Sequence, residues 1–295
     1  MPKLILLSLL LVFFTERTFA MPKKTILEDL KSFRESREKS LKANWLVVVG
    51  LTWLQPGESS IGSAPASKVV LPQSAPESLG KIYLQNGKAE LQFTDVKGVK
   101  INDSPAVSGT RYPLITDKSG KDLTSITVGT VKFYLIERPH GIGVRIKDSA
   151  SDTLKNFAGL NWWEFNESFR IVGKWRKFEK PRKIVIPDVL GDSNEELIEG
   201  NVTFTFQGKT YEAFPTREGN KLFFVFKDQT TGKMSYGTGR FLEAEINDDG
   251  TVVLDFNRAY NPPCAYISYA TCPIPPAENK LDIAIEAGEK KTAGH

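Results

Sequence analysis

Apolar and polar positions change period once along this chain, near residue 44. Before that point Ile26, Leu30 and Phe33 recur at helical spacing, Leu41 extends the stripe, and Arg34, Arg37 and Lys39 fall on the side expected to face water. Thr25-Ile26-Leu27-Glu28 has the form of a capping box, in which a threonine and a glutamate satisfy each other's free backbone donors, so an amphipathic helix over about 26–42 is predicted. From residue 45 onward the chain reads as short β-runs divided by turn residues. WLVVVGLTWL stops at Gln55-Pro56-Gly57, and TSITVGTVKFYLIERPHGIGVRIKD divides into three strands at Gly129-Thr130 and Pro139-His140-Gly141. NVTFTFQGKTYEAF turns at Gln207-Gly208, KLFFVFKD passes through QTTGK into MSYGTGRFLEAEIN, and Asp248-Asp249-Gly250 leads into TVVLDFN.

Successive hairpins imply antiparallel pairing, because parallel neighbours need long crossovers and no helical pattern fills the gaps. The predicted fold is all-β, a mostly antiparallel sandwich or partly closed barrel with an N-terminal amphipathic helix. No repeat of fixed period is present. Residues 1–20 are set apart from it. Lys3, the apolar run Leu4 to Phe14 and the small residue Ala20 have the layout of a secretory signal peptide cleaved after Ala20, and eleven apolar residues are too few for a membrane span, which needs about 20. The expectation is an exported protein, periplasmic or extracellular, with residues 21–295 as a single β-rich domain and no membrane-spanning helix.

Composition changes this picture little. The 40% apolar and 25% charged content is that of an ordinary globular chain, and a net charge of +4 is too even to predict nucleic acid as a partner. One basic run, KWRKFEKPRK at Lys174 to Lys183, reads as a solvated loop.

The familiar catalytic signatures are missing: no Walker loop, no G-x-S-x-G elbow, no H-E-x-x-H and no G-x-G-x-x-G opening a helix. The glycines of GTGR at Gly237 to Arg240 read as a bulge or close backbone approach, not a phosphate loop. His140, in a turn, is a weak candidate base, and His295 is the last residue. Cys264 and Cys272 lack the close-spaced partners of a zinc site, so neither a metal nor a cofactor is implied. In an exported chain they most simply form a disulfide, bracketed by Pro262, Pro263, Pro273, Pro275 and Pro276. The competing reading, a reactive thiol, lacks an adjacent Lys, Arg or His to depress its pKa.

Alternation in TVVLDFN puts Val252, Leu254 and Phe256 on one face and Val253, Asp255 and Asn257 on the other. Asp255 and Asn257 then share a side with Arg258, Tyr260 and Asn261 close by, the makings of a polar pocket at the end of a sheet. The bland alternative is that Asp255 pairs with an arginine at the edge of the core while the asparagines bond loop backbone.

The longest distinctive stretch, DFNRAYNPPCAYISYATCPIPPAENKL, closely resembles the C-terminal signature of the bacterial "domain of unknown function 1684" family. GLTWL, VRIKD, FAGLNWW, FVFKDQTTGKMSYGTGRFL and EAGEK agree with it. The resemblance implies one continuous domain in which the blocks around Arg145, Asp228, Arg240 and Asp255 to Cys272 belong to a shared architecture. It implies no established reaction.

Three functions compete on this reading. In the first, the protein binds a small polar or anionic ligand near Asp255 to Asn261: Arg145 and Arg240 hold negative charge, Asp255, Asn257 and Asn261 orient polar groups, and Tyr260 or Tyr266 stacks or hydrogen-bonds. In the second, it hydrolyses an envelope polymer with Asp255 and either Glu286 or Asp228 as acid and base, since two carboxylates suffice for glycoside hydrolysis. In the third, these residues are all satisfied scaffold groups of a structural or interaction protein.

Overall fold

The computed structural model describes residues 23–292, so the expected leader and His295 lie outside the described residues. A single long helix, Lys23–Asn44, opens the chain and buries Ile26, Leu30 and Leu41. Thr25 already lies inside it, so the predicted capping box does not mark its start. After the helix, strands are the main regular structure, mostly antiparallel as the turn spacing predicts. No helix among the described residues is long and apolar enough to cross a membrane.

Two pairs of sheets follow, each enclosing its own apolar core. In the first pair, Val48–Trp53, Gly141–Asp148, Val131–Arg138, Ser125–Val128, Val99–Ile101 and Ser104–Pro105 lie side by side in that order. A five-stranded sheet built on Gly57–Gly62, Gly80–Gln85 and Lys88–Phe93 faces it. Ile61, Leu79, Ile82 and Leu91 meet Phe133, Leu135, Val144 and Ile146 between them, and this is a sandwich.

The second pair is a partly closed barrel. Lys209–Ala213, Ser193–Phe206, Arg170–Pro187 and Thr251–Asp255 form one sheet, and Thr216–Glu218, Lys221–Phe226 and Arg240–Glu245 form the other. A bridge between Ile246 and Val252, across the Asn247 to Gly250 turn, joins the two. Phe204, Phe224, Phe226, Leu242, Leu254 and Phe256 fill the centre. The C-terminal segment contributes Leu281, Ile283, Ile285 and Ala287 to the same core, although it is not part of either sheet.

Local sequence explains the turns that set this register. Gln207 and Gly208 both take left-handed φ, 49° and 77°, the pairing required by a tight two-residue hairpin whose twist matches its strands. Gly239 has φ +111°, and a Cβ there would stand 2.5 Å from the Phe226 carbonyl and 2.6 Å from Pro275. That is the close approach expected of GTGR.

Two predicted elements differ. MSYGTG is not strand: Asp228 Oδ1 accepts from the Thr230 backbone and Thr230 bonds Ser235, which folds the segment into turns, and the strand begins only at Arg240. The basic run is strand rather than loop, within Arg170–Pro187, and is bulged between Lys177 and Arg182. Its cations are exposed as expected, so charge set their side of the ribbon without preventing pairing.

Candidate functional site

Asp255 ends its strand, and the reason is local. Its Oδ1 accepts from the Asn257 backbone at 3.1 Å and from Asn257 Nδ2 at 2.9 Å, capping the 3-10 turn Phe256–Arg258 that replaces a further strand residue. The other oxygen stands 3.7 Å from Nε of Arg170, its cross-strand partner. Asp255 and Val253 line one wall of a cavity of about 660 Å³ at the mouth of the barrel, with Arg170, Arg217, Phe223, Glu243 and Glu245 around it. Arg258 reaches back to Asp29 of the helix at 2.7 Å and closes one side.

Asp255 and Asn257 do meet side chain to side chain, but through the cap of the turn and not as neighbours on one strand face, because the chain has left strand geometry by Asn257. Asn257 is fully buried and pins the connection between the two β-units, accepting from Asn166 N at 2.9 Å and donating to its carbonyl at 3.0 Å.

Behind the cavity lies a buried polar network. Tyr260 donates to Glu243 Oε1 at 2.6 Å, and burial first, then that carboxylate, push its phenol above the ordinary range. Arg37 lies over the Tyr260 ring at 4.7 Å and donates to the Asn261 carbonyl at 2.9 Å. Arg34 lies 4.9 Å from the Trp162 ring and donates to the Trp163 carbonyl. Arg34 and Arg37 therefore face the protein, contrary to the wet side predicted for them, because aromatic faces and free carbonyls take up their charge. Asn261 donates from its backbone and from Nδ2 to the two oxygens of Glu289, each at 3.0 Å. Glu289 is wholly buried, and desolvation lifts its carboxyl to about 7 against the opposing pull of Arg37 and Asn261.

Arg240 is equally buried but faces no cavity. It pairs with Asp228 at 2.8 Å and donates to the carbonyls of Ile285 and Ala287, while burial holds its guanidinium below the ordinary range. Glu286 is exposed on the opposite side of the C-terminal segment. The expected acid and base pairs are thus not assembled: Asp255 lines the cavity, Asp228 is neutralised in the core, and Glu286 points to water.

Arg145 and Tyr266 lie elsewhere again, in a seam against the outer face of the sandwich. Arg145 stands 5.3 Å from the Trp45 ring, and both Trp45 and Tyr266 pack against the cluster of Val48, Ile267 and Cys272. Cys264 and Cys272 are paired as a disulfide, with Cα atoms 6.3 Å apart. His140 packs on Trp53 and stands 3.6 Å from Asp192, remote from any of these acids. Of the ligand-binding residues expected from sequence, Asp255 alone lines the cavity, Tyr260 and Asn261 belong to the network behind it, and Asn257, Arg240, Arg145 and Tyr266 serve other places. Arg258 was named beside Asp255, but Arg170 and Arg217 were missed because nothing in the sequence marks which strand pairs with Thr251–Asp255.

Residues 155–290 match the family model described as "Protein of unknown function (DUF1684)". Through these residues, just under half of its length, the chain resembles the DUF1684 family. The DUF1684 segment carries the whole cavity wall except Ile26 and Asp29, and it carries Glu289 and Arg240, whereas Arg34, Arg37 and Arg145 precede it. The search of curated proteins finds no match. Among solved structures, an uncharacterized protein of Haloarcula marismortui, determined by solution NMR, is 31% identical over 48% of this chain and 80% of its own, with a TM-score of 0.40. A crystal structure of Rad53 1-466 in complex with AMP-PNP is 12% identical over 66% of this chain and 45% of its own, with a TM-score of 0.21. Neither superposition is close enough to carry a structural inference.

Proposed function

We propose that this protein is exported to the cell envelope and binds a small polar ligand in the cavity at the barrel mouth. The observation that carries the reading is the Asp255 and Arg170 pair, which faces an open cavity across a long 3.7 Å contact instead of being closed by packing. Basic and acidic side chains line the space in nearly equal number, with Phe223 among them. A balanced set of donors and acceptors with one aromatic ring among them suits a neutral, hydroxyl-rich molecule such as a sugar better than a free anion, because no excess of positive charge is present to hold one. Export rests on Lys3, the Leu4 to Phe14 run and Ala20, and the paired cysteines are consistent with an oxidising compartment.

The test is native mass spectrometry of the protein purified from its own host, with Arg170→Ala and Asp255→Ala alongside. The wild type is expected to retain a small polar adduct that both variants lose while remaining folded. A wild type that carries no adduct and binds no member of a glycan and polyol panel sinks the reading.

A further inference from the structure

Arg145 presents a problem that the cavity does not explain. It sits in the Gly141–Asp148 strand with 4% exposure, and its Nε and Nη2 are wholly buried without an acceptor. No carboxylate lies within ion-pair distance among the described residues, and its cross-strand neighbour Tyr134 offers only a neutral phenol oxygen. The Trp45 ring stands 5.3 Å from the guanidinium carbon.

The surroundings make the deficit larger. Period-two alternation places Lys132, Tyr134 and Arg138 of one strand on the same face as Arg145 and Lys147 of the next. Arg138 is matched by Asp117 at 2.8 Å, but Lys147, half-buried and 5.6 Å from the Tyr134 ring, is not, and Lys132 lies directly cross-strand from Lys147. Burial lowers the pKa of both Arg145 and Lys147, and neighbouring cations lower each further, while Tyr134 and Asp117 pull that of Arg145 back up. The Tyr266 hydroxyl is a further buried group without a partner, on a side chain that packs against the same apolar cluster as Trp45. Donors outnumber acceptors here, and a buried charge left unpaired is among the most expensive features a fold can carry.

We infer that this seam is an oxyanion site, distinct from the barrel cavity, in which a phosphate-like group is held by Arg145 with Lys147 and Tyr266. Nε and Nη2 form one edge of the planar guanidinium, spaced to donate two parallel hydrogen bonds to two oxygens of one anion. Lys147, half-buried two residues along the same strand, adds a second positive charge, and the Tyr266 hydroxyl adds a neutral donor. The same group can arrive as free inorganic phosphate or as the terminal phosphomonoester of a larger molecule.

The probe is inorganic phosphate, titrated by calorimetry against the full mature protein at constant ionic strength set with chloride. Saturable binding to the wild type is expected, weakened at least tenfold in Arg145→Lys, which keeps the charge and loses the two-pronged edge. Lys147→Gln and Tyr266→Phe should each weaken it severalfold. Glycerol 3-phosphate competing with phosphate would assign the site to a terminal phosphomonoester, and its failure to compete would assign it to the free anion; both results support the site. No phosphate-specific saturable binding by the wild type overturns it, as does an Arg145→Lys protein that binds phosphate as tightly. If Arg145→Lys does not fold, wild-type affinity in both Lys147→Gln and Tyr266→Phe overturns it equally.

Discussion

Arg240 and Asp228 form an ion pair from which solvent is excluded on every side: Nη2 stands 2.8 Å from Oδ2, and the two side chains are 0% and 1% exposed. The same guanidinium nitrogens also donate to the carbonyls of Ile285 and Ala287. Removing the acid alone leaves a buried cation, so Asp228→Ala is expected to lose about 3–5 kcal/mol in urea denaturation. Glu286→Ala, at an exposed position in the segment these bonds hold, should stay within about 0.5 kcal/mol of wild type.

Glu289 gives stability an unusual dependence on pH. Its folded carboxyl titrates at about 7 against an ordinary value of 4.5, so between those values the folded protein keeps a proton that the unfolded chain has released. Stability should therefore fall as pH rises through that window and level off above it, by about 3 kcal/mol from this group. Carboxylates held low, such as Asp249 and Asp282, act in the opposite sense and in a more acidic range. Denaturation series from pH 4 to 8 on wild type and Glu289→Gln check this: the downward slope belongs to the wild type, and an equal slope in the variant would refute it.

The helix offers a comparison within about half a turn. Arg37→Ala removes a contact with the Tyr260 ring and a hydrogen bond to the Asn261 carbonyl, and should cost about 1–2 kcal/mol. Lys39→Ala, fully on the wet side, should change stability by less than about 0.5 kcal/mol. Equal effects would mean that the helix does not dock through its arginines.

Replacing Cys264 and Cys272 by serine should lower stability by about 2–4 kcal/mol, the range for a disulfide closing a short loop. Thiol titration of the denatured, unreduced protein should find no free thiol. Ligand retention in the barrel cavity should survive the double replacement while the protein stays folded, whereas a nucleophilic cysteine would show the reverse.

Much of the fold was legible because strands and hairpins obey local rules. Turn residues mark where the sheet reverses, and Gln207-Gly208 shows why: its backbone angles are those that the hairpin needs. The site was legible only in part. Asp255 was placed correctly by alternation up to the last strand residue, but extending the alternation to Asn257 failed, because Asp255 itself caps the turn that ends it. Arg34 and Arg37 were assigned to water since charge alone does not show that tryptophan and tyrosine rings wait across the interface. For the C-terminal acids the signal was present and unused: Leu281, Ile283, Ile285 and Ala287 are buried at every second position, and Glu289, not Glu286, continues that parity. Long-range pairing, such as Arg170 with Asp255, leaves no local trace at all.

The carbonyls that receive Arg240 lie 45 to 49 residues further along the chain. At a synthesis rate of about 5–20 residues per second, the arginine waits about 2–10 s for them after it has itself been made. Until then the nascent barrel holds a cation it cannot bury. Its core therefore closes late, after the segment from Ile285 to Glu289 exists, and a ribosome stalled short of that segment would present an open barrel to chaperones and proteases.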